Sequence, residues 1–232
     1  SAQKQFFLTP GHKCSYIQGR EAHTLFLDPR DTHSPDTYAR LTQIGFRRSG
    51  GHLYRPHCKQ CRACIPTRIP VENFSLSRRF QRIIKKNQDL EIRIERAEFS
   101  SEYYELYVRY ITGRHRDGDM YPPTPEQFRS FLLASWSETF FLSIYISGQL
   151  SAVAVTDVSS KSLSAIYTFF DPDFSHRSLG VYSVLKQIDE CRQRNLDYLY
   201  LGYWIKDAKK MSYKTEYRPI ELLINQRWVK MT

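Results

Sequence analysis

The clearest periodicity in the chain is helical. Tyr103, Leu106, Tyr107, Tyr110 and Ile111 recur at i, i+3, i+4, i+7 and i+8, one apolar face of a helix capped by Ser100 or Ser101. Just before it, Leu90, Ile92 and Ile94 alternate with Glu91, Arg93 and Glu95, the pattern of a half-buried strand. Ser34-Pro35 predicts an N-cap with proline at the first helical position, and helical spacing then runs from Tyr38 to about Ile44. Ser49-Gly50-Gly51 predicts a hairpin turn inside Phe46 to Tyr54. Thr124 and Gln127 predict a capping box, with Phe128, Phe131 and Leu132 as the buried stripe. From Thr139 the pattern turns to consecutive strands, Phe140 to Ile146, Leu150 to Val158 and Leu163 to Phe170. Val181, Val184, Leu185 and Ile188 then mark a helix. Tyr198 to Leu201 reads as a strand, Lys206 to Lys214 as a short helix and Ile220 to Ile224 as the final strand. At the other end, Ser1 to Lys4 read as a disordered start, Phe6 to Gly19 as a loop-rich lead-in and His23 to Leu27 as a short strand.

Three antiparallel strands, a helix preceded by a basic glycine-containing loop, then another strand: this order is found in N-acetyltransferase-type (GNAT) acyltransferases. It predicts an α+β fold in two parts. Residues 1–76 form a small cysteine-containing N-terminal domain, and residues 77–232 a GNAT-like domain with a mainly antiparallel sheet and flanking helices. In that fold the sheet splits after its fourth strand and the acyl donor lies in the split. The turn from His176 to Tyr182 occupies the place where a pyrophosphate sits on a helix N-terminus, with Arg177 as its candidate anion-binding residue. Tyr182 stands where a small residue would let the backbone approach, which argues against an acyl-coenzyme A donor.

Charge changes the picture. The net charge of +10 favours an acidic partner such as nucleic acid. On a helix begun at Ser77, Arg78, Arg82 and Lys85 share one face, and the run from Arg78 to Lys86 contains no acid to pair with. Such a face suits a phosphate backbone, because each cation releases counterions on binding. No apolar run reaches the length of a membrane span and no signal-peptide pattern opens the chain, so a cytoplasmic protein is expected.

Cys58, Cys61 and Cys64 stand at two-residue intervals just ahead of Pro66 and Pro70, which force an extended path. With Cys14 they admit three readings: four thiolate ligands for zinc, ligands for an iron–sulfur cluster, or reduced thiols packed as small hydrophobes. Cys191 lies on a helix and belongs to the core.

Five segments carry a resemblance to a family: FFLTPGHKCSYIQGR from Phe6, GFRRSGGHLYRPHCKQCRACIPTRIPV from Gly45, GRHRDGDM from Gly113, AIYTFFDPDFSHRSLGVYSVL from Ala165 and YLGYWIKDAKKMSYKTEYRP from Tyr200. Together they are similar to the aminoacyl-tRNA–protein transferases, on the bacterial leucyl-transferring branch. The resemblance implies transfer of leucine from leucyl-tRNA to the N-terminal amine of proteins beginning with Asp or Glu, marking them for degradation. Ala208 stands where the family often has a further cysteine, so no ligand comes from there. Two other classes stay open beside it, a coenzyme A-dependent N-acetyltransferase and a non-enzymatic RNA-binding module.

The implied reaction turns an activated ester into an amide and needs no external energy source. An N-terminal amine has a pKa of roughly 7.7–8.0, so supplying its neutral form at pH 7 is worth only about 1.4 kcal/mol. Positioning two bound reactants is worth roughly 7–11 kcal/mol. Positioning dominates, and no strong obligatory base or cofactor is required. His115, Asp119 and Tyr213 are the candidate catalytic groups, with Asp117 beside them in the same polar loop as His115. Arg78, Arg82, Lys210 and Lys214 suit an acidic N-terminal side chain, and they suit tRNA phosphate equally. Tyr203, Trp204, Tyr213 and Tyr217 are aromatic groups that stack on unpaired tRNA bases or else pack in the core.

Overall fold

The computed structural model describes residues 3–232. Strands β1 (Phe6–Leu8), β2 (His12–Lys13), β3 (Glu21–Ala22) and β4 (Thr24–Leu27) lead into helix α1 (Pro35–Gln43). Next come β5 (Arg47–Ser49), β6 (His52–Pro56), β7 (Ile65–Pro70), α2 (Arg78–Lys86), β8 (Glu91–Arg96), α3 (Ser101–Arg114) and α4 (Pro125–Leu132). The long strands β9 (Thr139–Ile146), β10 (Gln149–Val158) and β11 (Ser162–Phe170) precede α5 (Leu179–Gln193) and β12 (Tyr198–Trp204). A short α6 (Lys209–Ser212), a 3₁₀ turn (Tyr213–Glu216), β13 (Ile220–Ile224) and β14 (Arg227–Met231) complete the chain.

β1, β4, β6 and β5 make a four-stranded sheet, and β2 pairs with β3. The remaining strands form an eight-stranded sheet in the order β14-β13-β7-β12-β11-β10-β9-β8. Every pairing in it is antiparallel except β11 with β12. The fold is therefore α+β around a large, mainly antiparallel sheet.

Helices cover both faces of that sheet, so its central strands are apolar on both sides. On one face Phe80 and Ile83 of α2 and Leu185 and Ile188 of α5 pack with Leu142, Ile144, Ala152 and Ala154. On the other, the five apolar residues of α3 and Phe128 and Leu132 of α4 meet Phe141, Val153 and Val155. The expected stripe of α3 is buried in full. Ser34 and Thr124 cap α1 and α4, each side chain accepting from a first-turn backbone N–H. The reciprocal half of the expected capping box does not form, because the Gln127 side chain accepts from the Tyr107 hydroxyl and donates to Met120 instead. A smaller core of Leu27, Tyr38, Leu41, Phe46 and Leu53 fills the N-terminal sheet and α1.

Arg48 fastens the two sheets together. Its side chain is fully buried and binds Asp157 of β10 through Nε and Nη2 at 2.7 and 2.9 Å. Nη1 and Nη2 also donate to the carbonyls of Gly50 and Leu132. Tyr38 and Thr139 hydroxyls donate to the same carboxylate, so this buried pair is fully hydrogen-bonded. Gly50 must be glycine: its φ is +55° and an added Cβ would strike the Ser130 carbonyl.

Some expectations change. β7, which precedes the expected division after residue 76, lies between β12 and β13 of the large sheet. β13 pairs there with Thr67 and Arg68, in the stretch between the two prolines that lack a donor. Ile94 is exposed, because β8 is the outer strand of the sheet. β14 was not expected; it pairs with β13 as the other outer strand. The lead-in contains β1 and β2. Of the expected disordered start, Ser1 and Ala2 lie outside the described residues, while Lys4 binds Asp31 at 3.0 Å.

Candidate active site

The sheet opens between β11 and β12. Their parallel pairing covers only Ser162 to Ser164 against Tyr198 to Tyr200, although both strands run on, to Phe170 and Trp204. Both strands also change register where they part, β11 against β10 next to Ala165 and β12 against β7 next to Gly202. The Ala165 carbonyl, left without a strand partner on the β12 side, accepts from Nη2 of Arg47. Arg47 reaches it from β5 of the N-terminal sheet, so the opening is bordered by both sheets.

Lys214, in the 3₁₀ turn after α6, comes to the same place. It is buried, and Nζ donates to the Tyr203 carbonyl at 2.8 Å. Burial, reinforced by the nearby Arg47 charge, pulls its pKa down to about 7. Tyr203 itself is buried, and its hydroxyl donates to the Gly45 carbonyl at 2.7 Å, tying β12 to the N-terminal sheet.

A second group lies near the start of that turn. His115 bonds the Tyr110 hydroxyl through Nε2 at 3.0 Å. Burial, with Arg114 and Lys210 nearby, lowers its pKa below the ordinary histidine value and favours the neutral ring. Tyr213, itself exposed, neighbours Tyr110. Tyr110 in turn meets Tyr167 of β11 edge-on at 6.1 Å. His115, Lys210 and Tyr213 are thus brought together beside the opening, whereas Asp119 is exposed on the loop.

α2 packs against this turn. Phe80 stacks on Tyr217 at 4.9 Å, and Arg79 pairs with Glu216 at 2.6 Å. Arg78, Arg82 and Lys85 are exposed and form no ion pair among the described residues. Arg177 is engaged elsewhere, in a two-point bond to Asp89 at 2.6 and 3.0 Å. Arg47 is absent from the expected site residues, and its place beside Arg48 on a strand does not say which of the two faces the opening. Neighbouring strand residues point to opposite sides, and here one arginine meets an aspartate and the other the opening.

Cys14, Cys58, Cys61 and Cys64 are half-buried thiols without disulfides. Burial and the three other cysteines push Cys64 up to about 12, so the four are neighbours. No three His, Cys, Asp or Glu side chains among the described residues are arranged to hold a metal ion. The donor chemistry suits a thiophilic metal; the side-chain arrangement is not a formed ligand set. No helix is long and apolar enough to cross a membrane, among the described residues.

Comparison with known proteins places this geometry in a family. Residues 12–82 match the N-terminal model of arginine-tRNA-protein transferase and residues 102–224 match its C-terminal model. Aspartate/glutamate leucyltransferase of Stutzerimonas stutzeri is 54% identical over 231 residues, covering 100% of this chain and 98% of that protein. The enzymes of the same name from Alcanivorax borkumensis and Pseudomonas aeruginosa are 53% and 52% identical, over 97% and 100% of this chain and 93% and 98% of theirs. Among solved structures, the C-terminal domain of a putative lysylphosphatidylglycerol synthetase from Agrobacterium fabrum covers 74% of this chain and 53% of its own. Its TM-score is 0.48 at 12% identity, too loose a likeness to argue from. On the two family models and the full-length relatives, the chain belongs to the arginine-tRNA-protein transferase family.

Proposed function

We propose that this protein transfers leucine from leucyl-tRNA to the N-terminal amine of proteins beginning with Asp or Glu. The observation that carries the reading is identity of 52–54% along the whole chain to proteins named aspartate/glutamate leucyltransferase. The product is a protein marked for degradation through its new N-terminus, and the enzyme works in the cytoplasm.

The opening between β11 and β12 is where an N-acetyltransferase-type fold holds its acyl group, and we assign the leucyl ester to it. The acceptor amine attacks the ester carbonyl, the carbon–nitrogen bond forms, and the terminal tRNA hydroxyl leaves with a proton. Neutral His115, held by Tyr110, is the group we assign to receive the amine's proton. The exposed cations of α2 lie beside the turn that carries Lys214, and we assign them to tRNA phosphate. The coenzyme A alternative loses its anion-binding arginine, since Arg177 is committed to Asp89. Zinc or an iron–sulfur cluster at Cys14, Cys58, Cys61 and Cys64 is proposed only as a cross-link of the N-terminal region; no chemical step passes through it.

The test crosses leucyl- and arginyl-tRNA with peptides starting Asp, Glu, Lys and Ala. Leucine should appear on the Asp and Glu peptides alone. Preferential transfer of arginine, or no transfer to any peptide, would overturn the reading.

A further inference from the structure

Gly202 marks a small space bordered by two cations. Its φ is +91°, a conformation other residues adopt only under strain. An added Cβ would lie 3.4 Å from Nε and Nη2 of Arg47 and 3.4 Å from Nζ of Lys214. Neither cation has a carboxylate partner among the described residues. Nη1 of Arg47 is buried with no hydrogen-bond partner at all, and Lys214 is only 7% exposed. The adjacent Arg48, by contrast, has Asp157 and two carbonyls to satisfy it. A buried ammonium beside a half-buried guanidinium with a buried, unused donor is costly in the free protein, and that cost is relieved by an anion that enters.

We propose that Arg47 and Lys214 form the pocket that receives the side-chain carboxylate of the acceptor's N-terminal Asp or Glu. This rests on the leucyltransferase reading and names the residues that give it its acceptor preference. A carboxylate fits better than a tRNA phosphate here. The space is narrow, since an added Cβ already lies 3.4 Å from three cation nitrogens, whereas a phosphodiester brings two sugars that need room. The guanidinium faces the space with Nε and Nη2 and holds Nη1 unused, and the ammonium supplies the second contact from the turn after α6, an arrangement matched to a planar carboxylate. The pocket opens beside the parted strands, so a carboxylate held there leaves the amine of the same residue one or two carbons away, next to the ester. Asp and Glu are both accepted because the cations come from separate elements, β5 and the turn after α6, and the lysine stem adjusts.

The test is the ratio of kcat/KM for Asp- and Asn-starting peptides at saturating leucyl-tRNA. In the wild type Asp should lead by about a hundredfold or more, since Asn leaves the pocket's charge uncompensated. Arg47→Gln and Lys214→Gln should each cut the ratio by about tenfold, and the double variant should bring it near one. Lys214→Gln keeps a donor for the Tyr203 carbonyl, so the turn retains its anchor. An unchanged ratio with a raised KM for leucyl-tRNA would give these residues to the RNA and overturn the proposal. An unchanged ratio with a uniform fall in rate would reduce them to structural parts and also overturn it. Should the variants not fold, the wild-type protein still decides: the Arg47 Nε–H resonance should shift on adding an Asp-starting peptide and stay in place with its Asn counterpart. Equal shifts, or none, would refute the pocket. If the wild type moves no leucine to any peptide, the functional reading fails, and the resonance still reports on the pocket separately.

Discussion

Positive charge is used in two different settings in this molecule. On α2, Arg78, Arg82 and Lys85 stand in solvent along a helix whose other face is buried by Phe80 and Ile83. At the opening of the sheet, Arg47 and Lys214 border the bare backbone of Gly202, Lys214 nearly buried and Arg47 with a buried, unused donor. Exposed cations cost little to keep and act on any polyanion through counterion release, with weak demands on shape. Buried cations are expensive unless matched, and so they discriminate. Burial separates two jobs that residue type and spacing leave indistinguishable: the outer set suits a long phosphate backbone, the inner set a single carboxylate.

The comparison can be broken most visibly at the acceptor. Peptides starting Asp and Glu should react within about a hundredfold of each other, while Gln, like Asn, should fall by orders of magnitude. Equal rates for all four would mean a pocket that reads shape instead of charge. The next effect in size concerns α2. Arg78→Ala with Arg82→Ala should lower the slope of log KM for leucyl-tRNA against log salt by about two, one for each lost phosphate contact. An unaltered slope would remove both residues from the RNA path.

A smaller effect is expected at the cysteines. Replacing Cys58, Cys61 and Cys64 by serine should lower the melting temperature, while turnover measured well below that temperature is kept. Metal analysis of the purified wild type, with chelation as its control, separates a bound zinc or iron from reduced thiols packed as small hydrophobes. A fully stable triple variant without activity would contradict the scaffold role.

The smallest effect sharpens the inner site. Lys214 titrates near 7 in the folded protein and at an ordinary 10.5 when unfolded. Between those values the unfolded chain binds more protons, so this group makes stability rise with pH, by at most about 1.4 kcal/mol per pH unit. Denaturation at pH 7 and pH 9 should show that rise in the wild type and a smaller one in Lys214→Gln. Arg47 is the charged neighbour that depresses the lysine, while Tyr203 offers it only a carbonyl. An identical pH response in both proteins would take the charge of Lys214 out of the account.

How much of this was legible in the sequence follows from range. The stripe on α3 and the caps at Ser34 and Thr124 are local patterns, and each formed where spacing and side-chain chemistry put it. The α2 face was legible for the same reason: its N-cap, its cations and its buried residues lie within one helix. Arg47 was not, because it acts on a carbonyl 118 residues away, and nothing near it distinguishes it from Arg48 or Arg55. Lys214 was visible as a cation, but its burial depends on β12 and the N-terminal sheet meeting around it. β14 escaped notice because RWVKM lacks the alternation of a half-buried strand; its order comes from pairing with β13. Ile94 misled in the opposite sense, since its alternation was real but the outer strand leaves that position exposed.

The measurement closest to the central claim takes both sets of variants through one assay, recording the Asp-to-Asn ratio and the salt slope for leucyl-tRNA together. Arg47→Gln/Lys214→Gln should collapse the ratio and leave the slope, while Arg78→Ala/Arg82→Ala should flatten the slope and leave the ratio. If either pair moves both quantities in step, the inner and outer cations serve one binding event, and the division of labour drawn here is wrong.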